Sequence, residues 1–123
     1  MSNESGSRFR DAWIEGIKRH FPGEPKAGYI APWEEMPEWE QTAAAAVYEQ
    51  VRHFIATSDG AIAHLAPVQR GQFIAACWNA QIHRLLPSPK ASYVAPWEEL
   101  PDWQRATDMD IFTHIERLES QRG

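Results

Sequence analysis

One stretch of this chain occurs twice, and that duplication limits the fold more than any other feature. Residues 26–39 read KAGYIAPWEEMPEW and residues 90–103 read KASYVAPWEELPDW. Ten of the fourteen positions are identical; the other four exchange Gly for Ser, Ile for Val, Met for Leu and Glu for Asp. The spacing of 64 extends downstream, where Val47 meets Ile111, Tyr48 meets Phe112 and Val51 meets Ile115. Upstream, one residue is lost between the proline-rich segments 22–25 and 87–89. Trp13 then meets Trp78, Ile17 meets Ile82 and Phe21 meets Leu86. A fixed period with matching flanks marks tandem copies of one supersecondary unit.

Each copy predicts two helices around a proline-bounded loop. Phe9, Trp13, Ile17 and Phe21 recur every four residues, the stripe of an amphipathic helix. Ser7 is placed to cap that helix, and Pro22-Gly23 to end it. Pro37 suits the first turn of the next helix, with Glu38 and Glu40 at its positive end. That helix carries Val47, Val51, Phe54 and Ile55 inward and stops near residues 58–60. The second copy predicts a helix over 67–86, with Ile74, Trp78, Ile82 and Leu85 on its stripe. Another runs from 101 to about 120, with Ile111, Ile115 and Leu118 inward. The expected division is a disordered terminus over 1–6, a first repeat over 7–60, a linker over 61–66 and a second repeat over 67–120.

No segment alternates with strand period. A unit of about sixty residues is marginal alone, and two helices cannot enclose their own apolar stripes. Solenoid stacking needs three or more repeats. The fold class expected is therefore all-α. Two tandem helix–loop–helix repeats pack about a pseudo-two-fold axis into a four-helix core, one compact domain in all.

Charge and composition then remove function classes. A net charge of −5 with scattered Lys and Arg is a poor match for duplex nucleic acid, where binding rests on phosphate neutralisation. No apolar run approaches the length of a membrane span, and no leader-like segment opens the sequence. The single Cys77 cannot form an internal disulfide and fits a reducing compartment. These features predict a cytoplasmic protein that is a monomer or homodimer. The five histidines occupy non-equivalent places in the repeat, with no i, i+4 ligand pair and no cysteine cluster, so no metal site is expected. Cys77 beside Trp78 on an apolar helix reads as core. No catalytic constellation stands out, so neither a cofactor nor an enzymatic activity is expected.

The duplicated signature supports two readings. In the structural one, its prolines fix an extended loop and start a helix, and its tryptophans pin that loop to the helix pair. Trp13, Trp39, Trp78 and Trp103 read as core anchors. Glu34-Glu35 and Glu98-Glu99 read as acidic groups serving a helix N-terminus. In the functional one, the loops line a pocket. Lys26, Tyr29 and Trp33 in the first copy, and Lys90, Tyr93 and Trp97 in the second, combine rings with a cation in one concave segment. Gly28, where the second copy has Ser92, leaves more room for a ligand to approach backbone and favours the first copy.

Arg10-Asp11-Ala12-Trp13, then Lys26, then residues 32–41 (PWEEMPEWEQ) resemble the ryanodine-receptor repeat domain and its short bacterial and phage relatives. The second copy gives Cys77-Trp78, Lys90 and residues 96–105 (PWEELPDWQR). The chain departs from that pattern in its helix start, which lacks the His-Glu opening, and in its much shorter loops. The resemblance implies tandem repeats related by a pseudo-two-fold. It also implies a non-enzymatic regulatory module that binds a small ligand or protein partner, with nucleotide-like ligands as a candidate class. The alternative is a structural or protein-interaction protein whose signature loops are purely architectural.

Overall fold

The computed structural model describes residues 4–121. Its four helices are α1 (Glu4–His20), α2 (Glu38–Thr57), α3 (Pro67–Leu85) and α4 (Asp102–Ser120). Among the described residues there is no strand, and the class is all-α as expected. No helix is long and apolar enough to cross a membrane.

The helix ends follow from local chemistry. α1 stops ahead of Pro22 and Gly23, the glycine holding a φ of 95°. α2 closes through Asp59 at φ 54° and Gly60 at φ 87°, left-handed conformations that end a helix. Leu86 is extended, as the residue before a proline prefers, and α3 ends there. At the start of α3, Pro67 fills the first turn and Gln69 Oε1 accepts from the Ala66 backbone N–H at 2.8 Å. α1 differs from expectation at its start. It begins at Glu4 rather than after Ser7, so residues 4–6 of the segment expected to be disordered are helical; residues 1–3 of it lie outside the described residues.

α1 packs on α2 and α4, and α3 packs on α4 and α2, so each of these helices packs on its own copy's partner and on one helix of the other copy. Phe9, Val47, Tyr48, Val51, Ile74, Ile111, Phe112 and Ile115 form one shared core. Polar ties cross between the copies. Arg19 of α1 donates to Asp110 of α4 at 2.7 Å, and His20 Nε2 lies 2.7 Å from the same carboxylate. Tyr48 donates from α2 to Glu119 of α4 at 3.2 Å. The linker forms a turn of 3-10 helix over Ala61–His64 with Ile62 buried. Arg70 clamps it, donating to the Ile62 carbonyl at 2.9 Å and to Glu116 at 2.7 Å.

The two signatures adopt one shape. Each contains two single turns of 3-10 helix, Ala27–Tyr29 and Trp33–Glu35 in the first, Ala91–Tyr93 and Trp97–Glu99 in the second. Their cross-contacts are reciprocal: Tyr29 lies on Trp103 (5.7 Å between ring centroids) and Tyr93 on Trp39 (5.9 Å). Each tyrosine thus meets the opposite copy's tryptophan, the relation a pseudo-two-fold axis imposes.

Trp33 and Trp97 are seated against bare backbone. Trp33 covers Gly6 of α1, and Trp97 covers Gly71 of α3, the matching position. A Cβ on Gly71 would lie 2.7 Å from both the Trp97 ring and the Met109 side chain. Gly71→Ala and Gly6→Ala are each expected to cost about 1–3 kcal/mol as overpacking, read from the midpoint of a denaturant melt. Unchanged midpoints would mean that the rings do not rest on these glycines in solution.

Candidate functional site

A cavity of about 290 Å³ lies between the two copies and draws its walls from both. Trp13 and Trp78 face it from α1 and α3, Trp39 and Trp103 from α2 and α4, and Tyr29 and Tyr93 from the two loops. Met36 and Leu100 form further equivalent walls. The aromatic shell is therefore duplicated, and the cavity sits where the two copies meet.

The polar content is not duplicated. Arg10 lines the cavity where the second copy has Ala75; Glu40 is matched by Gln104, and Asn79 replaces the equivalent Ile14. Asp108 lines it where the first copy has Ala44. Arg10 is 4% exposed and ties down the first loop. Its Nε donates to the Ala31 carbonyl and its Nη2 to the Gly28 carbonyl, both at 3.0 Å, and its Nη1 lies 3.8 Å from Glu40. Trp13 Nε1 donates to the Tyr29 carbonyl at 2.9 Å. Asn79 does the same work on the second loop, donating to the Ala95 carbonyl at 3.0 Å. Burial pushes the Glu40 carboxyl upward in pKa and pulls the Arg10 guanidinium downward, each partly offset by the other's charge.

Asp108 differs from these groups. It is 6% exposed, and among the described residues no hydrogen bond or ion pair engages its carboxyl. Burial alone raises its pKa well above the usual carboxylate value. The folded protein thus holds this proton more tightly than the unfolded chain does. The stability tied to it is full below the unfolded pKa near ~4 and is lost as pH rises toward the folded value. Asp108→Asn is expected to stabilise the protein at neutral pH by about 0.5–2 kcal/mol, with the gain vanishing near ~pH 4. Thermal melts across pH check this; a destabilised variant at pH 7 would show that the carboxylate has a partner in solution.

Of the residues expected to form a site, the structure brings Tyr29 and Tyr93 to the cavity and leaves the others outside its walls. Lys26 and Lys90 are exposed, with their ammonium groups 5.8 and 5.7 Å from the Tyr29 and Tyr93 ring centroids. Trp33 and Trp97 are loop anchors. The Trp33 carbonyl accepts from Gln41 at 2.7 Å, and the Trp97 carbonyl from Arg105 at 3.0 Å. Glu34, Glu35, Glu98 and Glu99 sit in the 3-10 turns ahead of α2 and α4 rather than within their first turns. Gly28 and Ser92 both line the cavity, so neither loop alone owns it. Trp39 and Trp103, read as core anchors, are half-buried cavity walls instead. Helical phase distinguishes neither case, because the cavity lies on the same inward face as the core.

Cys77 is buried, outside the cavity, and its thiol is pushed up to about 11 by desolvation, the state of an inert core cysteine. Among the described residues no group of three or more His, Cys, Asp or Glu is placed to hold a metal ion. Comparison with known proteins gives no match: no family model, no curated protein and no solved structure matches the chain.

Proposed function

We infer that this protein is a non-enzymatic binding module, and that a small ligand occupies the cavity between its two copies. The observation that carries this reading is Asp108, a buried carboxyl without a partner that faces an aromatic-walled cavity. A donor on a ligand would complete that carboxyl with a charge-assisted hydrogen bond. Rings supply most of the contact area and a few polar groups the orientation, the usual division of labour in ligand pockets. The likeness to ryanodine-receptor repeats rests on the motif, and a regulatory role is proposed on that likeness; the nucleotide-like ligands it suggests fit poorly with a cavity whose unpaired charge is a carboxyl.

A second reading, a protein-interaction module with architectural loops, draws on Trp33 and Trp97, which are committed to Gly6 and Gly71. The two readings separate in a thermal-shift screen of nucleotides, cyclic nucleotides and small organic ions. A ligand of the cavity raises the melting temperature by mass action. The shift should disappear in Ala75→Phe, which places a ring in the cavity where the first copy carries Arg10. Shifts that survive Ala75→Phe unchanged would locate binding elsewhere. A screen with no shift would favour the interaction module.

A further inference from the structure

On the reading that the cavity binds a small ligand, we propose that this ligand is a compact organic cation bearing N–H donors, such as an amidinium or a protonated amine, with Asp108 as its counter-ion. The hydrogen-bonding inventory of the site points this way. Its one guanidinium, on Arg10, is spent on the Gly28 and Ala31 carbonyls and on Glu40. The Asn79 amide is spent on the Val94 and Ala95 carbonyls. Among the described residues no cation is paired with Asp108 and no donor reaches its carboxyl. What the cavity lacks is a positively charged donor.

The walls suit the same chemistry. Tryptophan and tyrosine faces attract cations, most strongly where water is excluded. A phosphate or carboxylate would meet the Asp108 carboxyl and find no free guanidinium among the lining residues. At about 290 Å³ the cavity has room for one ring or a short amine rather than an extended chain. The asymmetry fits as well: an acid on one side of a duplicated aromatic box suits a ligand charged at one end.

Binding is coupled to a proton. Burial favours the neutral carboxylic acid of Asp108. An incoming cation favours the carboxylate, so the acid's proton leaves to solvent as the ion pair forms. Affinity for a permanently charged cation should rise about tenfold per pH unit while Asp108 is protonated, then level off. The other groups facing the cavity are Arg10 from α1, Glu40 from α2, and Tyr29 and Tyr93 from the loops; α3 contributes no titratable group. Glu40 is also shifted upward, so its own titration has to be separated from that of Asp108.

Three molecules of one shape test the proposal: benzamidine, which is cationic, benzamide, which is neutral, and benzoate, which is anionic. Isothermal titration of the full chain from about pH 5 to about pH 8 reads affinity, and buffers of different ionisation enthalpy count the protons released. Benzamidine should bind at least about tenfold more tightly than benzamide, and benzoate should not bind. Asp108→Asn should abolish both that preference and the pH slope, which separates its titration from that of Glu40, whereas Glu24→Gln, at an exposed position away from the cavity, should keep both. A folded Asp108→Asn protein is verified by its melt. Benzamide or benzoate binding as well as benzamidine would overturn the cation proposal while leaving a ligand cavity in place. Unchanged benzamidine affinity in Asp108→Asn would overturn it too. Failure of all three to bind would also refute it, and the screen with Ala75→Phe then decides separately whether the cavity binds anything.

Discussion

Phe112→Ala should lower the stability of the whole protein by about 3–5 kcal/mol. The ring is fully buried on α4, where it meets Phe54 of α2 at 6.4 Å and Phe73 of α3 at 6.1 Å, edge to face in both cases. Phe54 and Phe73 lie 4.7 Å from each other, and the Arg70 guanidinium sits 5.7 Å from the Phe112 ring. One side chain therefore bridges both copies and supports the arginine that clamps the linker. Truncating it leaves a void with walls from three helices, none of which can move in without losing contacts elsewhere. A small domain has only about 5–15 kcal/mol to lose, so the midpoint of a urea melt should fall sharply.

The same melt distinguishes a shared core from two adjacent units. Helix content by circular dichroism and tryptophan fluorescence should fall together in one transition, because both copies depend on the ring. Tyr48 provides the contrast. It occupies the matching position in the first copy and is just as buried, but Tyr48→Phe keeps the ring and removes only the hydroxyl, with its bonds to Glu119 and Arg8. Losing these two surface-edge bonds should cost about 0.5–1.5 kcal/mol, well below the cost of removing the ring. A loss below about 1 kcal/mol in Phe112→Ala, or two separate transitions, would contradict a common core.

The sequence made the core legible because duplication and helical phase agree there. Val47 and Ile111, Tyr48 and Phe112, and Val51 and Ile115 match across the spacing of 64 and are all buried. Upstream, Ile17 and Ile82 do the same. The start of α1 was not legible, since Ser5, Gly6 and Ser7 carry weak helix propensity. What keeps Gly6 in the helix is tertiary, namely the Trp33 ring that covers it. A side chain there would collide with the ring, so the residue that weakens the helix locally is the one that lets the loop dock.

The cavity was only half legible. Its aromatic walls were visible as a repeated pattern, but a repeated tryptophan reads equally as core filler or as cavity lining. The polar residues carry a usable signal of another kind, divergence at matching positions. Asp108 lies three residues before Ile111 and seven before Ile115, so helical phase turns it inward, and the first copy has Ala44 there. Arg10 beside Phe9, opposite Ala75, breaks the pattern in the same way. An inward-phased charge in one copy, matched by alanine in the other, distinguishes a place with space from a place that is packed.

Arg10→Ala is the second change expected to have a large effect, about 3–5 kcal/mol, with damage confined to one loop. Arginine remains charged when buried, so the folded protein accepts the cost of desolvating it in return for what it holds. Alanine would leave the Gly28 and Ala31 carbonyls without their donor and the half-buried Glu40 carboxylate without its cation. The second loop has Ala75 at the equivalent place and is tied through Asn79 instead, so it should survive. Hydrogen exchange should therefore speed up over residues 26–36 and stay near its original rate over residues 90–100. Pairing Arg10→Met with Glu40→Met should recover part of the loss, because an apolar pair of similar volume often replaces a buried ion pair at little cost. Equal loss of protection in both loops would show that Arg10 supports the cavity as a whole. A cost below about 1 kcal/mol would place its guanidinium in water rather than on the loop carbonyls.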